Sequence, residues 1–289
     1  MIPELDYRTP ETLEEACNLL WESGARAKVI AGGTDLVIRL RNKELKPSWL
    51  VDITRVPELQ GIEEKDGLMV IGAGVTHAEL ASSAVLKRHG KILSDAASEI
   101  GSPQIRNLGT IGGNIVNASP AADTVPALMA LDAVGEVVSR EGERRVRLGD
   151  LFKGPYETAL KPHEILTRIS FQKLPPDTGC GFVRLARREA TAIARMSVAL
   201  TVRIGRGKNR IEDIRISVGA MTPTPHRISE AEAMLKGKSP DRGLFKEASQ
   251  KVSESILRRT GLRASSSYKV PVVEALFIRS LEKALGEVA

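Results

Sequence analysis

Residues 101–126, GSPQIRNLGTIGGNIVNASPAADTVP, constrain this chain more than any other stretch. Glycines stand at 101, 109, 112 and 113, among the apolar residues Ile111, Ile115 and Val116. The run is too glycine-rich for a helix interior, and its apolar positions are too ordered for a linker. It predicts a bare backbone bend anchored to a core by those three side chains. Without a Cβ, a backbone N–H can come close to an anion. A second stretch of the same make, Ala31-Gly32-Gly33-Thr34-Asp35-Leu36, follows the apolar run Ala27-Lys28-Val29-Ile30. Two such bends, each after strand-like sequence, predict two walls of one anion site. Neither has the GxGxxG or GxxxxGK[ST] spacing, which excludes the common dinucleotide and P-loop fingerprints.

The totals set the class. A chain of 289 residues, 42% hydrophobic and 27% charged, is long enough for one large or two to three small globular domains. Aromatic residues make up only 3%, so the core is aliphatic and stacking platforms for single-stranded nucleic acid are not expected. The net charge of +6 is scattered among acids and suits an anionic cofactor or an acidic partner; no nucleic-acid reading element is recognisable. Cys17 and Cys180 lie far apart, with no Cys/His cluster near either. This predicts no metal or iron–sulfur centre in the chain, and fits a reducing cytoplasm. MIPELDYRTPETLEEA does not read as a signal peptide, and no apolar run is long enough to span a membrane.

Pattern divides the chain into three. Residues 1–55 read as a βαβ-like unit: a helix opening at Thr9-Pro10-Glu11 and ending at Gly24, a strand over 27–30, a short helix from Leu36, and a strand at 49–53. Residues 56–175 hold a strand at 68–71 and a helix capped by Thr76. A helix over 91–100, the glycine-rich run, and a helix over 124–131 capped by Asp123 follow, then a hairpin about Glu141–Glu143 and an alternating strand over 164–171. Lys173–Gly179 reads as a linker. Residues 178–289 then show three strand-like runs, with a turn at 205–209, followed by three helices. The class is α+β. His77 and His163, beside turns, read as surface or hydrogen-bonding residues, and no Ser/His/Asp or Cys/His catalytic set can be built.

AGGTDL, PQIRNLGTIGGNI and ASPAAD together resemble the flavin-binding medium subunit of molybdenum hydroxylases, the family of xanthine dehydrogenase and aerobic carbon monoxide dehydrogenase. The resemblance runs over nearly the whole chain. It implies a two-part FAD-binding domain of the vanillyl-alcohol-oxidase/PCMH type, followed by a C-terminal domain of a three-stranded antiparallel sheet with helices. It implies FAD as cofactor, with Ile30, Ala31, Gly32, Gly33, Thr34, Asp35 and Leu36 on one side of the pyrophosphate. Ile105, Gly109, Thr110, Gly112, Gly113, Asn114 and Ala118 would serve the other side. Neutral donors suffice there because a bond to an ionised oxygen is charge-assisted. Asp123 matches the family acid that contacts the cofactor, and Leu160 and Ile165 lie in a segment packed near the flavin. Arg184 stands where the family commonly has a Lys that reaches the flavin ring, and Thr191 where it often has Asp. Gln104, Arg106 and Asn107 resemble positions that brace the glycine-rich bend, and 219–227 matches a structural segment.

The resemblance further implies a heterotrimer, possibly dimerised, with a small subunit carrying two 2Fe–2S clusters and a large subunit carrying the molybdenum–pterin cofactor. Electrons would pass from the clusters through FAD to NAD, a quinone or another acceptor, with no catalytic side chain in this subunit. Two other readings remain open: a stand-alone flavin reductase of the same architecture, like enolpyruvyl-glucosamine reductase, and an assembly factor that carries FAD.

Overall fold

The computed structural model describes residues 5–188, 191–205, 210–262 and 264–287. It contains three main sheets. In the first, Asp6–Arg8 and Ala27–Ile30 flank Trp49–Asp52, all parallel. The helix Leu36–Arg41 makes the crossover between the last two. The preceding helix spans Leu13–Ser23 and is capped by Thr12, whose hydroxyl accepts from the Glu15 N–H, not by Thr9. Pro10 therefore lies ahead of the helix rather than in its first turn. Gly24 ends the helix as expected, at φ +55°.

The second sheet is antiparallel, in the spatial order Ile62–Lys65, Leu68–Gly72, Ile165–Gln172, Val134–Ser139, Gly142–Arg147. Its central strand, Ile165–Gln172, comes last in the chain, so the sheet closes only after six short helices between Gly72 and Val134 have been laid down. Ile92, Leu93, Ile111, Ile115 and Leu128 of those helices join Met69, Ile71 and Ile169 in one aliphatic core. Thr76 caps the first of them with a full capping box to Glu79.

The C-terminal sheet runs Thr178–Leu185, Met196–Ile204, Ile211–Gly219 and His226–Arg227, all antiparallel. It has four strands rather than three; the fourth is only two residues long, too short to leave an alternating pattern. The expected linker ends inside the first of these strands, which begins at Thr178. Part of the turn expected at 205–209 lies outside the described residues.

Alternation along Thr178–Leu185 sets how the domains meet. Gly179 and Gly181 face the helix Ser266–Gly286, where a Cβ on Gly181 would stand 1.9 Å from the Ser280 carbonyl oxygen. Cys180 and Phe182 face the other way and join the core of the second unit. Arg184 has the same parity as those two. The helices Arg242–Thr260 and Ser266–Gly286 cover the opposite face of the sheet. No helix among the described residues is long and apolar enough to cross a membrane.

Candidate functional site

The two glycine-rich stretches meet. An added Cβ on Gly32 would lie 1.8 Å from the Leu108 carbonyl oxygen and 3.0 Å from the Gly109 Cα. A Cβ on Gly109 would lie 3.5 Å from the Thr34 hydroxyl and 3.2 Å from His77 Cδ2. No side chain fits between these backbones, so their composition follows from their proximity. Gly33 turns the upstream bend at φ +68° and leads into the helix Leu36–Arg41. The N–H groups of Gly32, Gly33 and Thr34 donate to no other backbone group among the described residues.

The downstream stretch differs from the bend expected of it. Pro103–Leu108 and Ile111–Asn117 are short helices, and Gly112 and Gly113 fall in the first turn of the second. Thr110 caps that turn, its hydroxyl accepting from the Gly113 N–H at 3.1 Å. The Gly112 N–H donates to the Ala73 carbonyl at 2.9 Å, and the Ile111 N–H to the Val75 carbonyl at 2.9 Å. Those amides are therefore engaged within the chain. Gly112 is required for another reason: a Cβ there would stand 2.6 Å from Ala73 Cβ and 2.7 Å from Ala73 O. Gly112 lets the helix lie directly against Ala73, just past the Leu68–Gly72 strand, with its cap Thr110 next to Gly109. Asn114 accepts the Thr124 hydroxyl on Oδ1 at 2.6 Å, leaving its amide NH2 as a donor.

Other predicted positions separate by burial. Ile30 packs with Leu40 and Leu50 in a small cluster beside Leu36. Asp35 is exposed and its side chain makes no cap bond. Ile105 is exposed on the helix that precedes Gly109. Ala118 ends the glycine-bearing helix in the left-handed region at φ +49°, where its carbonyl accepts from the Tyr156 N–H. Leu160 is partly buried against the main core, and the Ile165 side chain lies within the core of the first unit. The Arg106 side chain donates to the Ile100 carbonyl at 2.8 Å, ahead of its own helix rather than at the glycine pair. The segment after Gly219 reaches the glycine-rich run: the Ala220 N–H donates to the Pro120 carbonyl at 2.8 Å, holding the ASPAAD turn.

Asp123 is 6% exposed and makes no cap bond to the helix Thr124–Ala130. Its backbone is αR rather than the extended conformation usual for a capping side chain. Instead Oδ2 accepts from Arg184 Nη1 at 3.2 Å, while Oδ1 is buried with no partner among the described residues. Burial pushes this carboxyl up to about 7, against the pull of the Arg184 charge.

His77 is buried rather than on the surface. It starts the helix His77–Ser82 with its backbone N–H on the Gly109 carbonyl, and its Nδ1 has no partner among the described residues. Burial and the nearby Arg106 charge lower it to about 4, so it is a neutral imidazole at pH 7. Its place at the junction was missed because an isolated His beside a turn carries no pattern. No cluster of three or more His, Cys, Asp or Glu among the described residues could hold a metal ion.

A family model described as the FAD binding domain in molybdopterin dehydrogenase matches residues 3–173. The chain belongs to that family of FAD-binding subunits. A second model, the CO dehydrogenase flavoprotein C-terminal domain, matches residues 182–284 of this flavoprotein subunit. It is 32% identical over 286 residues to the nicotine 6-hydroxylase medium subunit of Paenarthrobacter nicotinovorans, covering 98% of each chain. It is 31% identical to the xanthine dehydrogenase FAD-binding subunit of Escherichia coli O157:H7, covering 97% of this chain and 96% of the relative. Among solved structures, carbon monoxide dehydrogenase from Hydrogenophaga pseudoflava superposes with TM-score 0.93 at 29% identity, covering 100% of both chains. Quinoline 2-oxidoreductase from Pseudomonas putida 86 gives 0.91 at 28% identity, again covering 100% of both.

The cofactor of the FAD-binding subunit is FAD, and its relatives are subunits of oxidoreductases. The residues present fit such a group. The junction offers free backbone donors and neutral hydroxyls, and a buried carboxylate oxygen with nothing to accept from stands on the same glycine-rich run.

Proposed function

We propose that this chain is the electron-transfer subunit of a molybdenum hydroxylase. In this reading it stands between an iron–sulfur small subunit with a molybdopterin large subunit and a terminal acceptor. The division 1–55, 56–175 and 178–289 supplies two halves of a cofactor cleft and a C-terminal lid. Gly32, Gly33 and Thr34 would donate to the pyrophosphate from one side, and Thr110 and Asn114 from the other. Asp123 would accept from a hydroxyl of the sugar or ribityl chain. Leu160 and Ile165 would act by closing the apolar floor behind it. When bound, FAD supplies redox chemistry, taking electrons singly and giving them up as a pair to NAD, a quinone or another carrier. The observation that carries this reading is the meeting of the two glycine stretches at Gly32 and Leu108. The full-length similarity to medium subunits of multi-subunit enzymes supports it.

The test is reduction of the flavin-loaded chain by pre-reduced small and large subunits. Clusters that reoxidise as the flavin absorbance bleaches support the assignment. Clusters that stay reduced point to a carrier used in assembly. Turnover of a nicotinamide by the chain alone points to a stand-alone reductase.

A further inference from the structure

Asp123 and Glu99, from elements distant in sequence, meet at the guanidinium of Arg184. Arg184 comes from the first strand of the C-terminal sheet, with a side chain only 7% exposed. Its Nη1 donates to Asp123 Oδ2 at 3.2 Å and to the Ala192 carbonyl at 3.0 Å. Its Nε donates to Glu99 Oε2 at 2.9 Å, at the end of the helix Lys91–Ser98. Nη1 is shared between Asp123 and the Ala192 carbonyl while Nε is held by Glu99, so the guanidinium is tied down at two of its nitrogens. Asp123 spends one oxygen on that guanidinium, and the other is buried and unbonded among the described residues. A buried acceptor without a donor costs free energy unless something supplies one. The charged groups facing Asp123 are Arg184, which favours the ionised carboxylate, and Glu99, which opposes it.

We propose that Arg184 is a positioning residue for the cofactor: it favours the Asp123 carboxylate and orients it so that Oδ1 accepts a hydrogen bond from a hydroxyl of the bound flavin nucleotide. The proposal rests on the reading of this junction as the FAD site. Retention of the nucleotide then depends on the C-terminal sheet as well as on the glycine stretches, because strand parity points Arg184 at Asp123. It also depends on pH. The carboxyl is an acid raised toward neutrality, so it loses its charge as pH falls through that region, and a protonated Asp123 competes less well for the hydroxyl. Taking away the Arg184 charge raises the carboxyl further and moves the loss to higher pH.

FAD dissociation constants of the full chain, stripped of flavin and titrated by fluorescence between pH about 6 and about 9, test this. The wild type is expected to weaken about tenfold toward the acid end. Arg184→Met is expected to bind about tenfold more weakly at pH about 8, with its acid limb displaced upward by about one pH unit. Arg184→Lys should recover most of the affinity and return the limb, and Asp123→Asn should bind weakly with no limb. A purely structural Arg184 would lower thermal stability without moving the limb. If Arg184→Met keeps the wild-type constant and limb, the proposal falls. Should Arg184→Met fail to fold, Asp123→Asn decides, since an unchanged acid limb in that variant also overturns it. A wild-type chain that binds no FAD at any pH would sink the site assignment itself, and this proposal with it.

Discussion

Gly32 and Leu108 are in van der Waals contact through backbone alone, although 76 positions separate them in the chain; a methyl group on Gly32 would fall 1.8 Å from the Leu108 carbonyl oxygen. The group in the way is backbone, the last carbonyl of the helix Pro103–Leu108, and not a side chain that could rotate aside. Gly32→Ala should therefore push the two stretches apart and lower FAD occupancy at least about tenfold. Gly154→Ala is the matched control, since its Cβ would meet nothing nearer than the Glu157 carboxylate at 3.6 Å. Flavin absorbance per polypeptide in the purified variants reads the difference. Equal occupancy in both variants would mean that the contact does not shape the site.

The same kind of approach holds the C-terminal helix. Gly181→Ala places a Cβ 1.9 Å from the Ser280 carbonyl oxygen, against a helix backbone with no room to yield. A loss of about 3 kcal/mol in unfolding free energy is expected. Urea denaturation measures it, and a loss below about 0.5 kcal/mol would show that the helix can shift.

Buried histidines should make the chain acid-sensitive. His77 and His226 are each lowered from 6.5 to about 4 by burial. The unfolded state then takes up a proton near pH 6.5 that the folded state refuses until about 4, so stability falls as pH drops through that interval. Each contributes on the order of 3 kcal/mol to the fall. His77→Phe should reduce the difference in unfolding free energy between pH about 7 and about 4.5 by roughly half. An unaltered difference would mean that His77 titrates normally.

Glu164 makes a bidentate pair with Arg144, both bonds 2.8 Å, and also accepts from the Lys161 N–H. These partners hold its carboxyl below the usual range. The stabilisation is present above the ordinary carboxylate pKa and is lost as pH falls through the depressed one. Arg144 remains largely hydrated, so Glu164→Ala should cost only about 1 kcal/mol at pH about 7. The deficit relative to wild type should shrink in acid. Thermal unfolding at two pH values checks both sign and size.

Locally coded features were legible. Ala27–Ile30, the crossover helix from Leu36 and the Thr76 cap follow from apolar spacing and capping chemistry within a few residues. The glycine stretches and the ASPAAD turn carried the family, because close backbone approach leaves a compositional mark. The glycine pair 112–113 misled at the level of conformation. Its composition suggested a bare loop, but the Ala73 carbonyl and the Thr110 hydroxyl bind its amides and fold it into a helical turn.

The sequence alone thus determined three things: that this is an α+β chain by the order of its strand and helix patterns, that two glycine stretches need close backbone contact, and where most strands and helices lie. Only the tertiary structure decided which amides stay free, that Asp123 bonds to Arg184 instead of capping a helix, and that His77 is buried at the junction. The reason is range. Capping and periodicity act over a few residues, whereas the Asp123–Arg184 and Gly32–Leu108 pairs exist only after the sheets have been assembled and the chain has returned on itself.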